Sequence, residues 1–329
     1  MKNKWFIGID ISKKTLDIVI YDQENKKAKK YFKVSNDNKG FKEIVKTFRI
    51  EKIKLTEAFI CLEYCGVYGL SIGFFLNNKI DFCFCSPLHI KRCLGLTRGK
   101  NDKLDAFKIA RFCYLYRNEL TPSSMPTEIM LKLKNLIGER NRVVKSSIIE
   151  KQVIKELSGN LERKTINRAK KRLKNLLIDI KIIEQEIIEL IKADNLINEN
   201  YKLLQSIVGI GLINAVMMIL CTNNFNGITN ARSFACYCGV APFEYSSGTS
   251  IRGKTRVSNL ANKKMKADLT NAARSAVVHD PELRIYYKRK RDEGKAHGTV
   301  LNAVKFKIIA RAFAVINRQT PYVKLRQAG

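Results

Sequence analysis

Four carboxylates in this 329-residue chain stand where they could hold a divalent cation. Asp102 and Asp105 lie three residues apart in the stretch Arg98–Gly–Lys–Asn–Asp–Lys–Leu–Asp–Ala106, a spacing that projects both from one face of a helix. Asn101 or Asp102 could start that helix, whose periodic residues are Leu104, Phe107, Ile109 and Ala110. Asp10 ends the apolar run that begins at Trp5, and Glu63 ends another that begins at Glu57. Taken alone, Asp102 and Asp105 could serve only to cap the helix and favour its positive end. Taken together, four carboxylates suit a hard cation such as Mg²⁺. Two such ions about 4 Å apart would stabilise both oxygens of an in-line phosphoryl displacement. The competing acids fit less well. Asp17 sits mid-strand opposite the apolar face and Asp22 lies in a turn, which assigns both to solvent. Glu57 and Asp81 open strands rather than close them, and so point away from the ends bearing Asp10 and Glu63.

A second group of reactive residues lies at Gly239–Ser250, followed by Arg252, Lys254 and Arg256. Ser247, directly before Gly248, could present its hydroxyl to a phosphate from a loop flanked by cations. The alternative is a flexible Ser/Gly turn. No histidine lies nearby to activate a serine, so a metal or cationic neighbours would have to do so.

The elements that must position these groups can be read from periodicity. Strand signals cover Trp5–Asp10, Thr15–Tyr21 and Ala28–Val34, then a helix over Lys39–Phe48, a strand over Glu57–Glu63, a helix over Gly66–Leu76 and a strand over Ile80–Cys85. This order implies an α/β layer with a mixed sheet. Carboxylates at the ends of neighbouring strands, joined by a helix bearing two more, form the layout of an RNase H-like metal site. From Pro126 to about Leu190 glycine nearly vanishes. Ile166, Ala169, Leu173, Leu176, Ile180, Ile183, Ile187 and Leu190 follow an unbroken alternation of three- and four-residue steps, which is a coiled-coil seam. Ser158–Gly–Asn160 is the expected turn after a preceding helix over Ile129–Leu157. The pattern fits an internal hairpin or a dimerising stalk equally. Further on, Leu203–Ala215 places Gly209 and Gly211 between helical segments, either as an ordinary turn or as a hairpin whose amides approach DNA phosphate. The expected division is 1–122, 123–200 and 201–329: an α/β domain, a helical coiled-coil region and a mainly α-helical domain carrying the serine.

Charge narrows the partner. Lys and Arg number 61 against 30 Asp and Glu, a formal net charge of +31, and residues 251–329 alone hold 19 against 5. Self-repulsion on that scale implies a polyanion, most simply nucleic acid. No run of about eighteen apolar residues occurs and no signal-peptide pattern precedes Trp5, which argues against a membrane. The nine cysteines include Cys61/Cys65, Cys83/Cys85 and Cys236/Cys238 but make no C-x-x-C pair. They read as reduced core thiols of a cytoplasmic protein.

On these residues the chain resembles a known family. "GIDISKKTLDI" with Asp10, "LEYCGVYG" with Glu63, "KNDKLDA" with Asp102 and Asp105, and "CGVAPFEYSSGTSIRGKTRVSNLANKKMKADL" with Ser247 resemble the DEDD transposases of insertion sequences. This is the IS-one-ten group, which includes relatives of the Piv DNA invertase. "KAHGTVLNAVKFKIIAR" resembles the family's closing basic helix. The resemblance spans nearly the whole chain in order. It implies a RuvC-like domain whose Asp10, Glu63, Asp102 and Asp105 hold Mg²⁺. It also implies a C-terminal domain in which Ser247, or its neighbour Ser246, attacks a DNA phosphodiester. It implies as partners donor and target DNA, a structured guide RNA (the bridge RNA), and further copies of the chain in a dimer or tetramer. A bacterial cytoplasmic, nucleoid-associated location follows. Cys65 before Gly66, and Asn259–Leu–Ala–Asn262, depart from the family's pattern without touching a proposed catalytic group. Two other functions remain open on the residues: a RuvC-like Holliday-junction or structure-specific nuclease that uses only the acids, and a non-catalytic nucleic-acid-binding protein on a decayed nuclease fold.

Overall fold

The computed structural model describes residues 4–95, 101–157, 163–248 and 251–323, and they form two compact units, Met1–Met125 and Pro126–Gly329. In the first unit three strands, β1 (Trp5–Ile11), β2 (Thr15–Asp22) and β3 (Lys27–Ser35), form an antiparallel meander. Helix α1 (Asn38–Ile50) carries the chain over to β4 (Ala58–Glu63), which pairs parallel with β1. A short 3-10 turn and α2 (Leu70–Leu76) then lead to β5 (Asp81–Cys85), parallel to β4. The sheet order is β3-β2-β1-β4-β5. Two further helices, α3 (Pro87–Leu94) and α4 (Asp102–Leu115), complete the unit. The mixed α/β sheet expected from the sequence is present.

Strand alternation sorts the side chains onto two faces. Ile7, Ile9, Leu16, Ile18, Ile20, Ile60 and Leu62 are buried against Phe41, Ile44 and Phe48 of α1 and Ile72 and Leu76 of α2. On the other face Phe6, Val19, Tyr21, Phe59, Cys61, Cys83 and Cys85 pack under Ile90 of α3 and Ala106, Ile109, Ala110, Phe112 and Cys113 of α4. Both faces are therefore covered, as a sheet with parallel crossovers requires.

The second unit opens with α5 (Glu128–Leu157) and α6 (Arg163–Lys192). They run antiparallel, joined by ion pairs Arg140–Glu184 and Arg172–Glu150, both at 2.7 Å. All eight residues of the periodic stripe on α6 are buried or half-buried. The expected turn at Ser158–Asn160 lies outside the described residues. Then follow α7 (Asn195–Gln205), α8 (Leu212–Thr222), α9 (Ala231–Tyr237), the antiparallel pair β6 (Pro242–Ser247) and β7 (Ile251–Val257), and α10 (Lys263–His279), α11 (Pro281–Asp292) and α12 (His297–Arg318). Met130, Leu133 and Ile137 of α5 and Ile183, Ile187 and Ile191 of α6 share one core with Val216, Ile219, Phe234, Leu269, Ile308 and Phe313. The long helices are thus rooted in the helical body. Between α7 and α8, Gly209 has φ +95°, and a Cβ there would lie 2.5 Å from the Ala272 carbonyl of α10. No side chain fits at that position. Among the described residues no helix is long and apolar enough to cross a membrane.

Candidate active site

The face of the sheet under α4 collects the acids. Asp10 shares that face with Phe6 and Gly8, and Glu63 shares it with Phe59 and Cys61, because side chains two apart on a strand point the same way. Parallel pairing of Ile9 with Leu62 sets the ends of β1 and β4 side by side, which makes Asp10 and Glu63 neighbours. Gly8 lets the helix in. A Cβ at Gly8 would lie 2.2 Å from the Ala110 nitrogen and 2.4 Å from the Ala106 carbonyl oxygen, so the backbone of α4 rests directly on β1. The first turn of α4, with Asp102 and Asp105, then meets the strand end that carries Asp10.

The helix start answers the capping alternative. Asn101 is the cap, its Oδ1 accepting from the Leu104 amide at 2.7 Å. Asp102 and Asp105 occupy the first turn without capping it, and their charge still favours the positive helix end.

Electrostatics tie the group together. Burial, then the charges of Asp105, Asp17 and Asp102, pushes the Asp10 carboxyl above its ordinary value. Burial, then Asp10 and Asp105, does the same to Glu63. Three neighbouring acids already have cations: Lys108 Nζ lies 2.9 Å from Asp105, and Lys33 Nζ lies 3.2 Å from Asp102 and 3.1 Å from Asp17. Among the described residues neither Asp10 nor Glu63 has a lysine or arginine partner. Hard oxygen donors held against burial and mutual repulsion, two of them uncompensated, suit a divalent cation. Among the described residues no three of these carboxylates bring oxygens within 4.8 Å of one another. A bound ion would therefore draw the side chains inward and displace Lys33 from Asp102.

Asp17 corrects the sequence reading. It was assigned to solvent, yet it is only 3% exposed. It faces Asp10 directly across the β1–β2 ladder, and its Oδ1 accepts from the Tyr31 hydroxyl at 2.7 Å. The reason is that the sheet has no solvent face here. Val19 and Tyr21, on the same side of β2 as Asp17, were the available signal.

The serine lies in the second unit. Ser247 closes β6, with its backbone opposite Ile251, and its side chain is outside the described part of the structure. Gly248 follows with φ +55°. Ser246 is exposed. The segment expected as a loop is an antiparallel ribbon instead, with Phe243 and Tyr245 exposed and Gly253 lying under the Tyr245 ring.

Comparison with known proteins agrees with this arrangement. Residues 7–159 match the model for the DEDD group of IS110, described as a transposase, and residues 201–288 match the transposase IS116/IS110/IS902 family. The chain is 24% identical over 327 residues to the pilin gene-inverting protein of Moraxella bovis, covering 98% of each chain. The protein of the same name from Moraxella lacunata matches to the same extent. A shorter match, 31% over 126 residues, covers 38% of this chain and 31% of the insertion element IS110 uncharacterized 43.6 kDa protein of Streptomyces coelicolor. An acid cluster on a mixed sheet, followed by a basic helical unit, is in this case the framework of a transposase. Within that class the chain belongs to the IS116/IS110/IS902 family.

Proposed function

We propose that this transposase cuts and rejoins DNA by a serine nucleophile assisted by Mg²⁺, and that a bridge RNA guides it. The observation that carries the reading is the convergence of Asp10, Glu63, Asp102 and Asp105 on one face of the sheet, with Asp10 and Glu63 lacking a cation partner among the described residues. The sheet order, with the central strand bearing Asp10 and a later helix bearing two acids, supports an RNase H-like (RuvC-like) description of the first unit. In this reading the four acids hold Mg²⁺, which would supply charge stabilisation at the phosphate.

Ser247 performs the bond exchange. Its Oγ forms a bond to a DNA phosphorus while one phosphorus–oxygen ester bond to deoxyribose breaks, and the departing sugar oxygen takes up a proton. A sugar hydroxyl of the new partner strand later attacks the phosphoserine and releases the serine. The number of phosphoester bonds is unchanged throughout, so rejoining requires no ATP. The near full-length similarity to proteins named for pilin gene inversion supports rearrangement rather than simple hydrolysis. The net charge of +31 supports a load of both DNA and RNA. Guide pairing would then choose the sequence while the protein reads backbone shape and charge. The helices α5 and α6 pair with each other within the chain, and exposed Ile148, Ile149, Leu177, Ile178 and Ile182 along them support a role in dimer or tetramer assembly.

The test is a comparison of Ser247→Ala with Ser246→Ala in strand joining on donor and target DNA. Ser247→Ala should abolish joining and the denaturant-resistant protein–DNA adduct, while Ser246→Ala keeps both. Cutting to free ends by Ser247→Ala, with Mg²⁺ still required, would overturn the serine mechanism in favour of a junction nuclease. Digesting co-purified RNA should abolish site selection; selection that survives digestion would refute guidance.

A further inference from the structure

A second, chemically different set of ligands lies deeper on the α4 face. Cys83 and Cys85 are two apart on β5 and so point the same way. Cys61 on β4 is the register partner of Cys83. The three sulfurs all lie within 4.8 Å of one another, with Cys83 and Cys85 at 3.1 Å. Cys113 comes from α4, which packs on this face, and its thiol donates to the Phe59 carbonyl at 3.6 Å. Cys61 and Cys113 are 0% exposed, Cys85 4% and Cys83 6%. Three sulfurs on the sheet form one face of a possible tetrahedron, and Cys113 on the helix overhead lies farther than 4.8 Å from at least one of them.

We propose that Cys61, Cys83, Cys85 and Cys113 form a structural site for a thiophilic divalent ion of the zinc type. Zinc–sulfur bonds of about 2.3 Å in a tetrahedron put the sulfurs about 3.8 Å apart, so the three sheet sulfurs need only small shifts, and Cys113 would swing in as the fourth ligand. Neutral thiols gain little from such crowding, because S–H is a weak donor and sulfur a weak acceptor. The exchange is not redox: each thiol that binds loses its proton to solvent as its sulfur–metal bond forms, so uptake weakens as pH falls.

The site is independent of the acid cluster, since soft sulfur and hard oxygen select different ions. It would still serve that cluster. Cys61 lies two residues before Glu63 on β4, and Cys113 lies on the helix that carries Asp102 and Asp105. The ion would pin these elements together below the acids. Pattern reading missed the set because its members come from three separate elements and no pair has metal-type spacing.

The experiment uses the full chain, untagged and purified without chelator, with metal quantified by mass spectrometry. About one zinc per chain is expected in the wild type, in Asp10→Asn and in Cys93→Ser, and its loss in Cys83→Ser. Should Cys83→Ser fail to fold, the wild type still decides. Replacing the metal with Co²⁺ should give a near-ultraviolet sulfur-to-cobalt charge-transfer band that saturates at one equivalent. Metal-free wild-type protein with no such band would overturn the proposal and leave the four cysteines as packed thiols. Zinc that is lost in Asp10→Asn but retained in Cys83→Ser would also overturn it, because the ion would then sit on the acids.

Discussion

Gly8→Ala tests how the acids are brought together. The new Cβ would stand 2.2 Å from the Ala110 nitrogen and 2.4 Å from the Ala106 carbonyl oxygen, and both atoms are helix backbone. Neither can rotate away. To reach even a tight contact of about 3.4 Å, α4 must withdraw from β1 by about 1 Å or more. Overpacking of this kind costs about 1–3 kcal/mol. The lower chain entropy of alanine in the unfolded state returns about 0.5–1 kcal/mol. A net loss of about 1 kcal/mol is expected in urea unfolding. The effect on activity should exceed what stability alone would give, because Asp102 and Asp105 move with the helix, and displacement of a reacting group by about 1 Å costs roughly 100-fold. Gly69→Ala is the control. Its Cβ would meet only the Phe84 ring at 3.0 Å and the end of Ile11 at 3.4 Å, side chains that can shift. It should lose less than about 1 kcal/mol and keep strand joining. Equal losses for the two variants, with Gly8→Ala still fully active, would refute the direct seating of α4 on β1 as the device that gathers the acids.

Three more outcomes follow from the geometry. Asp10 is raised above its ordinary value in the folded state, so the fold binds more protons than the unfolded chain between the ordinary and raised values. The metal-free protein should therefore gain stability as pH falls through that window. Asp10→Asn should stabilise it at neutral pH, while Mn²⁺ binding followed by electron paramagnetic resonance is lost; a destabilised variant would contradict the charge argument. Lys33 bridges Asp17 and Asp102, so Lys33→Met should tighten Mn²⁺ binding several-fold in the absence of DNA, and an unchanged titration would show that the lysine does not compete. In the second unit Arg311 lies 2.7 Å from Asp280, with side-chain exposures of 12% and 4%. Arg311→Met removes the cation from Asp280, whose Oδ1 still accepts from the Leu283 amide at the start of α11, and should cost about 3 kcal/mol, measured as a fall in Tm, with partial recovery in the double variant Asp280→Asn/Arg311→Met.

The N-terminal elements were legible because their patterns are strong. Isoleucines at alternate positions of β1 and β2 announce strands, and the break between Val34 and Lys39 announces α1. Alternation along β2 suggests one dry and one wet face and so a solvated Asp17, whereas helices cover both sides of this sheet. The β6–β7 ribbon was hidden by its serines and glycines, which look like turn residues unless Phe243 and Tyr245 are seen to alternate with polar neighbours. Helix α3 was missed because Ser86–Pro87 starts it and only Ile90 is fully buried along it. The four acids could be named from the sequence; their common face rests on strand register and on the Gly8 contact, which no local pattern encodes.

Helix α4 both roofs one face of the sheet and delivers two of the acids. On a ribosome the first ninety-odd residues could pair their strands, but Phe6, Val19, Tyr21 and Phe59 would stay bare until residues 102–115 emerged. Completing that core and assembling the acid cluster are then one event. A chain interrupted before Asp102 would be left with an uncovered apolar sheet and an incomplete set of acids, so a truncated product should be lost to aggregation or proteolysis rather than persist as a partly active enzyme.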